Sequence, residues 1–190
     1  MSSPVKIVII ILLPVMTFYV GAWLIDNFSR HDYVEQRLQR QLSDPGDRKP
    51  LNTRYCGYDA PAVSRHWGAL DQTALQAEKC SLRLDLVFPL FYGAAFLASL
   101  FLAWTSLGSP FHFSWLAAPV GIAVLADWAE NSLQLMQLQR FIDEGASGLQ
   151  QCCIRMASAA TVIKLYAVWA MIVLLLILLV WMGARMVRGR

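Results

Sequence analysis

What this chain has little of is charge. Only 15% of its residues are Asp, Glu, Lys or Arg, where a soluble domain averages about 25%, and none falls between Lys6 and Asp26. The short signatures of several chemistries are missing too. No C-x-x-C pairs its cysteines, and H-E-x-x-H, the P-loop and a nucleophile–histidine pair are absent. The histidines His31, His66 and His112 have no second ligand at metal spacing, so neither a metal or haem site built from them nor any cofactor is expected. They read as surface residues. The net charge of +3 comes from isolated cationic ends and forms no basic stripe, which sets nucleic-acid binding aside.

What fills the chain instead is apolar. Hydrophobic residues make up 57% and mean hydropathy is +0.46, the composition of an integral membrane protein. A helix needs about 20 apolar residues to cross about 30 Å of hydrocarbon. Four stretches are long enough, at about residues 5–25, 86–107, 114–137 and 157–183. The first exceeds the h-region of a signal peptide and ends in no A-x-A-like cleavage site, so it is read as an uncleaved anchor. The expected fold is all-α: one membrane domain, a four-helix bundle, with residues 26–85 forming a helical lid outside the membrane.

Four spans bring both termini to one side. Lys6, Arg185, Arg188 and Arg190 flank that side, and the positive-inside rule assigns it to the cytoplasm of a bacterial inner membrane. The opposing loop 26–85 holds nine cations and nine anions, Arg30 and Arg83 among them close to the membrane. Cys56, Cys80, Cys152 and Cys153 all lie in the two loops that share the other face. One or two disulfides in an oxidising exterior would explain that placement, with connectivity left open. A thiol-oxidising enzyme is disfavoured, since Cys152 and Cys153 are adjacent.

The loop itself is helical in pattern. Val34, Leu38 and Leu42 share a face, SDPGDRKP breaks the helix, and Asp59 caps a second helix with Pro61 in its first turn. Val63, Trp67 and Leu70 share the face of that helix, and Asp71 caps a third that leads into the second span. Tyr55, Tyr58 and Trp67 add aromatic surface to the lid. About 60 residues make a small core, so a disulfide and the bundle below are expected to help hold it.

Against this background the segment ADWAENSLQL is anomalous. Asp127, Glu130 and Gln134 fall at i, i+3 and i+7 on one helical face, with Asn131 on its flank. Lys164 lies at nearly the same depth on the fourth span, about 10 Å inside its end. A charge at the centre of a membrane helix costs at least about 2.5 kcal/mol, so such groups face the bundle interior and find partners. Lys164 is expected to contact Glu130, Asp127 or both, with Thr161 and Ser158 adding hydrogen bonds and Ala157 and Ala160 allowing close approach. On the second span Asp85 stands at the boundary and Tyr92 two turns deeper, while Pro89 between them frees a backbone carbonyl and bends the helix. The expected polar cluster is Asp85, Tyr92, Asp127, Glu130, Asn131, Thr161 and Lys164, with the first helix closing its side.

A bland role is open to this cluster: a buried ion-pair network fixes register without doing chemistry. The functional reading is a cavity in the outer half of the bilayer that binds a lipid head group or small ligand, with Lys164 holding an anionic head, or a lid that docks a larger membrane complex. Alternatives are a transporter or proton relay through the carboxylates, and a lipid-modifying enzyme with Asp127 or Glu130 as general base. The tail ARMVRGR would contact anionic lipid.

LDLVFPLFYG, ADWAENSLQL and SAATVIKL, preceded by YDAPAVSRHWGAL, resemble a group of small four-span bacterial membrane proteins in which D-L-x-F-P-x-x-Y opens one span and D-x-x-E-N sits in the next. The likeness covers roughly residues 57–170; the cysteines and the arm 26–55 lie outside the pattern. It implies the architecture and brings no activity with it.

Overall fold

Long apolar runs without internal breaks become long helices here, because a helix satisfies every backbone donor and acceptor within itself. The computed structural model describes residues 3–29, 31–108 and 112–188. Arg30, Arg190 and the side chain of His31 lie outside the described set. In chain order the helices are α1 (Ser3–Ser29), α2 (His31–Gln41), α3 (Pro45–Arg48), α4 (Ala60–Gly68), α5 (Gln72–Leu84), α6 (Phe88–Leu107), α7 (Phe113–Glu144) and α8 (Gln151–Arg188). Two 3-10 turns, Leu51–Thr53 and Gly145–Gly148, join them, and no strand occurs among the described residues.

Three helices are long and apolar enough to cross a membrane: Val5–Ser29, Gln72–Leu107 and Gln151–Arg188. The expected third span, 114–137, is not among them, since its helix buries Asp127, Glu130, Asn131, Gln134 and Gln137 among its apolar residues. The expected loop 138–156 is also mostly helix. α7 runs to Glu144 and α8 starts at Gln151, so the two form an antiparallel hairpin of 32 and 38 residues, about 48 and 57 Å long.

Two apolar cores stack along this hairpin. One lies toward the chain termini and is built from Ile10, Phe96, Leu100, Leu107, Val120, Met171, Leu178 and their neighbours. The other lies at the hairpin turn, where Val34, Leu38, Leu51, Val63, Trp67 and Leu75 pack against Leu138, Ile154 and Ala157. The arm 31–84 is therefore not a surface appendage. Asp59 and Asp71 cap α4 and α5 by accepting from Ala62 N and Ala74 N, each at 2.9 Å. Asp71 also accepts from Tyr33 Oη at 2.7 Å and pairs with Arg37, which binds α2 to the start of α5. The Ala74 N–H, Arg37 and Tyr33 together hold its carboxyl at about 2.

Several expectations for this arm are corrected. Tyr58 and Trp67 are 9% and 1% exposed and belong to the core, whereas Tyr55 is exposed. All four cysteines are free. Gly57 sits at φ +74°, with the Ser158 hydroxyl where a side chain would project, so Cys56 stands beside α8 about six residues past Cys152. Cys80 instead points its Sγ at the Phe28 carbonyl, 3.8 Å away. The shared core at the hairpin end does the work that the disulfide was expected to do.

His66, expected at the surface, is 1% exposed and donates from Nδ1 to the Asp47 carbonyl at 3.2 Å. Burial lowers its pKa from 6.5 to about 4, with the Asp47 carbonyl opposing the shift. Between pH 6.5 and 4 the unfolded chain binds the proton that the folded chain refuses, so stability rises with pH across that window. Thermal unfolding of the detergent-solubilised protein is expected to show a loss of about 3 kcal/mol on acidification through it. The variant His66→Asn is expected to flatten this component of the pH profile.

Candidate functional site

Between the two cores lies a polar layer, and its construction starts at Pro89. A proline has no N–H, so the Asp85 carbonyl, four residues earlier, has no helical donor. The chain responds by leaving the helix over 85–87, where Leu90 N turns back to Val87 O at 3.1 Å and leaves the Leu86 carbonyl free as well. α7 supplies both missing donors. Asn131 Nδ2 donates to Asp85 O at 3.0 Å and Trp128 Nε1 donates to Leu86 O at 2.8 Å. The break in one helix is thus repaired by side chains of another.

The same two segments meet once more, one turn toward the chain termini. Tyr92 Oη donates to Asp127 Oδ2 at 3.0 Å, and Asn131 Nδ2 also donates to Asp127 Oδ1 at 3.0 Å. D-L-x-F-P-x-x-Y and D-W-x-E-N therefore form one interlocked unit. α8 closes it electrostatically. Lys164 Nζ reaches Asp127 Oδ1 at 3.2 Å and pairs with Glu130 Oε2. These residues are 7%, 0% and 8% exposed for Asp127, Glu130 and Lys164, so Glu130 in particular depends on Lys164 as its counter-charge.

Tyr58 extends the layer toward the arm. Its backbone N–H donates to Ser158 Oγ at 2.7 Å, and its hydroxyl accepts from Gln134 Nε2 at 2.8 Å and Thr161 Oγ1 at 3.4 Å. Gln134 also donates to Glu130 Oε1 at 3.0 Å. Burial pushes the Tyr58 hydroxyl pKa up, so it stays a neutral phenol. Sequence reasoning missed Tyr58 and Trp128. Tyr58 had a signal in Gly57, whose absent side chain allows the arm to touch α8.

Of the expected cluster, the structure joins Tyr92, Asp127, Glu130, Asn131 and Lys164 directly, and Thr161 through Tyr58. Asp85 enters by its carbonyl, and the residue also lines a cavity of about 390 Å³. Phe18, Ala22 and Ile25 of α1, the turn at Pro50–Thr53, Ser81, Phe88, Tyr92, Asp127, Lys164, Leu165 and Val168 form its walls. α1, packed on α6 and α5, contributes Phe18, Ala22 and Ile25 to the wall on this side. Among the described residues no three His, Cys, Asp or Glu side chains gather in a way that could hold a metal ion. The cysteines stand apart from the layer.

The fold and site together define an all-helical protein with three helices of membrane-crossing length and a buried, charged layer beside an open cavity. Comparison with protein-family models, curated proteins and solved structures finds no match for the chain.

The Pro89 repair has a measurable consequence. Asn131→Leu is expected to cost about 2 kcal/mol of unfolding free energy, because it strips a buried carbonyl of its donor. In a Pro89→Ala background the restored N–H can serve Asp85 O, so the same substitution should cost about 1 kcal/mol less. Strict additivity across the four proteins would mean that the carbonyl does not link the two positions.

Proposed function

We propose that the chain is an integral membrane protein crossing the bilayer four times, through α1, α6, α7 and α8, and that its cavity binds the polar head of an amphiphile. The carrying observation is the lining of that cavity. Its inner wall is Asp85, Asp127, Lys164 and Tyr92, and its outer wall is Phe18, Ala22, Ile25, Phe88, Leu165 and Val168. A small polar metabolite has no use for the second wall, and a hydrocarbon has none for the first.

Depth supports the same reading. Arg185 reaches the Leu107 carbonyl and lies over the Trp181 ring at 5.6 Å, the posture of a cation at a membrane interface. Counting back from that level at 1.5 Å per residue, about 30 Å of hydrocarbon is used up near Phe88 on α6 and Tyr166 on α8. The polar layer then sits at head-group height, shallower than its place within the sequence's apolar runs suggests. The arm 31–84 becomes a lid over it. Flanking cations at Lys6, Arg185 and Arg188 favour cytoplasmic termini and an extracytoplasmic lid.

A proton relay fits less well. Toward the termini the packed core continues as Ala123, Val120, Phe96, Leu100 and Met171, and among the described residues Ser99 alone is buried and polar there. No second polar step leads on from Asp127.

Purification from native membranes in mild detergent, followed by mass spectrometry, tests the proposal. A stoichiometric amphiphile is expected to accompany the protein and to be lost from Val168→Trp, which fills the apolar wall without touching the charged layer. A stoichiometric protein with no lipid would make the chain an accessory subunit instead. For orientation, a membrane-impermeant thiol reagent is expected to label the exposed Cys56 and Cys152 in intact cells without prior reduction. Labelling only after lysis would invert the topology.

A further inference from the structure

The cavity's polar wall is unequally satisfied, and the imbalance has a chemical sign. Lys164, its one cation, is held between two carboxylates, Asp127 and Glu130. Formally that trio already carries one negative charge. Asp85 adds another whenever it is ionised, as a bound cation would favour: its carboxyl makes no hydrogen bond or ion pair, and the residue borders the cavity. Ser81, one turn earlier on the same face of α5, is 9% exposed, borders the same space, and its hydroxyl has no partner. Above them, on the turn at Pro50–Thr53, Asn52 Oδ1 is fully buried and has no donor. Arg54, which follows that turn, gives its guanidinium to the Asp47 and Lys49 carbonyls instead.

Two unpartnered polar side chains, Asp85 and Ser81, therefore border one space, with the Asn52 amide oxygen buried behind its wall. Buried polar groups are ordinarily paired, and each left unmet costs about 1–3 kcal/mol. An anion entering here would meet the surplus negative charge of the Asp127–Glu130–Lys164 trio and the Asp85 carboxyl in a partly desolvated site. A primary ammonium has three N–H donors, no acceptor and a positive charge, which suits a carboxylate beside a hydroxyl.

We infer that the cavity takes an amphiphile whose head is a primary ammonium, bound by Asp85 and Ser81, with its chain against Phe18, Ala22, Leu165 and Val168. Lys164 then acts as the counter-cation that keeps Asp127 and Glu130 in place, and not as the binder of an anionic head. The inference rests on the proposed amphiphile site and narrows it to one head-group chemistry. The ammonium could belong to a simple long-chain amine or to an aminophospholipid whose phosphate stays at the cavity mouth.

Hexadecylamine, hexadecanol and hexadecanoic acid share a chain and differ in head. Their binding to the purified full chain is measured by quenching of tryptophan fluorescence and by native mass spectrometry. The amine is expected to bind at least 10-fold more tightly than the acid, and Asp85→Asn should bring the amine to the level of the alcohol. Thr53→Lys, which places a cation at an exposed position of the cavity wall, should weaken the amine and strengthen the acid, and it tests the same point if Asp85→Asn does not fold. Competition by phosphatidylethanolamine but not phosphatidylglycerol would assign the ammonium to a phospholipid; competition by neither assigns it to a simple amine. Acid binding as tight as amine binding, or amine binding unchanged in both variants, overturns the ammonium assignment while leaving an amphiphile site. Failure of all three probes to bind overturns the amphiphile site itself.

Discussion

The structure depends on the donor that Pro89 does not have. Because the Asp85 carbonyl cannot be satisfied within its own helix, Asn131 must stand opposite it, and Trp128 must serve Leu86 three residues away. Those two contacts set the register of α7 against α6. With that register in place, Asp127 meets Tyr92, and Glu130 is turned toward α8 and Lys164. A buried ion pair seldom improves on apolar packing in free energy, but a misaligned one is severely penalised. The charged trio therefore acts as a lock on an alignment that backbone hydrogen bonding has already chosen.

The layer also separates two cores of different character. Toward the termini, α1, α6 and α8 leave Val8, Tyr19, Phe91, Trp169 and Val180 exposed on their outer faces, a surface suited to lipid. At the hairpin end, α4 and α5 are amphipathic, and short polar contacts such as Asp71 with Arg37 and Asp47 with Arg65 lie outside their core. The polar layer lies between these two cores, with the cavity beside it.

Exchange of the disulfide reading for a packed core follows from the same geometry. The arm is small, but it does not fold alone: Trp67, Val63 and Leu51 bury themselves against Leu138 and Ile154, which α7 and α8 carry beyond the apolar stretch. The composition of residues 138–156 does not reveal that extension, because Gln, Arg, Asp and Glu on the outer face of a protruding helix read as loop. His66 and Trp67 were misread for the same reason. His66 is bonded to the Asp47 carbonyl across the preceding turn and Trp67 packs on Phe141 of α7, and no local pattern reports either contact.

By itself the sequence determined the helical class, the caps at Asp59 and Asp71, and the pairing logic of Asp127, Glu130 and Lys164. These follow from period, turn chemistry and the cost of an unpaired charge, all of which act over a few residues or on any apolar helix. Tertiary structure alone decided that Asn131 repairs the Pro89 break, that Tyr58 joins the layer, and that Asp85 also lines a cavity. Each of these depends on which donor lies opposite which acceptor between helices. That is set by the approach of two backbones, as at Gly57 and Ser158, and is not encoded in the spacing of residues along either one.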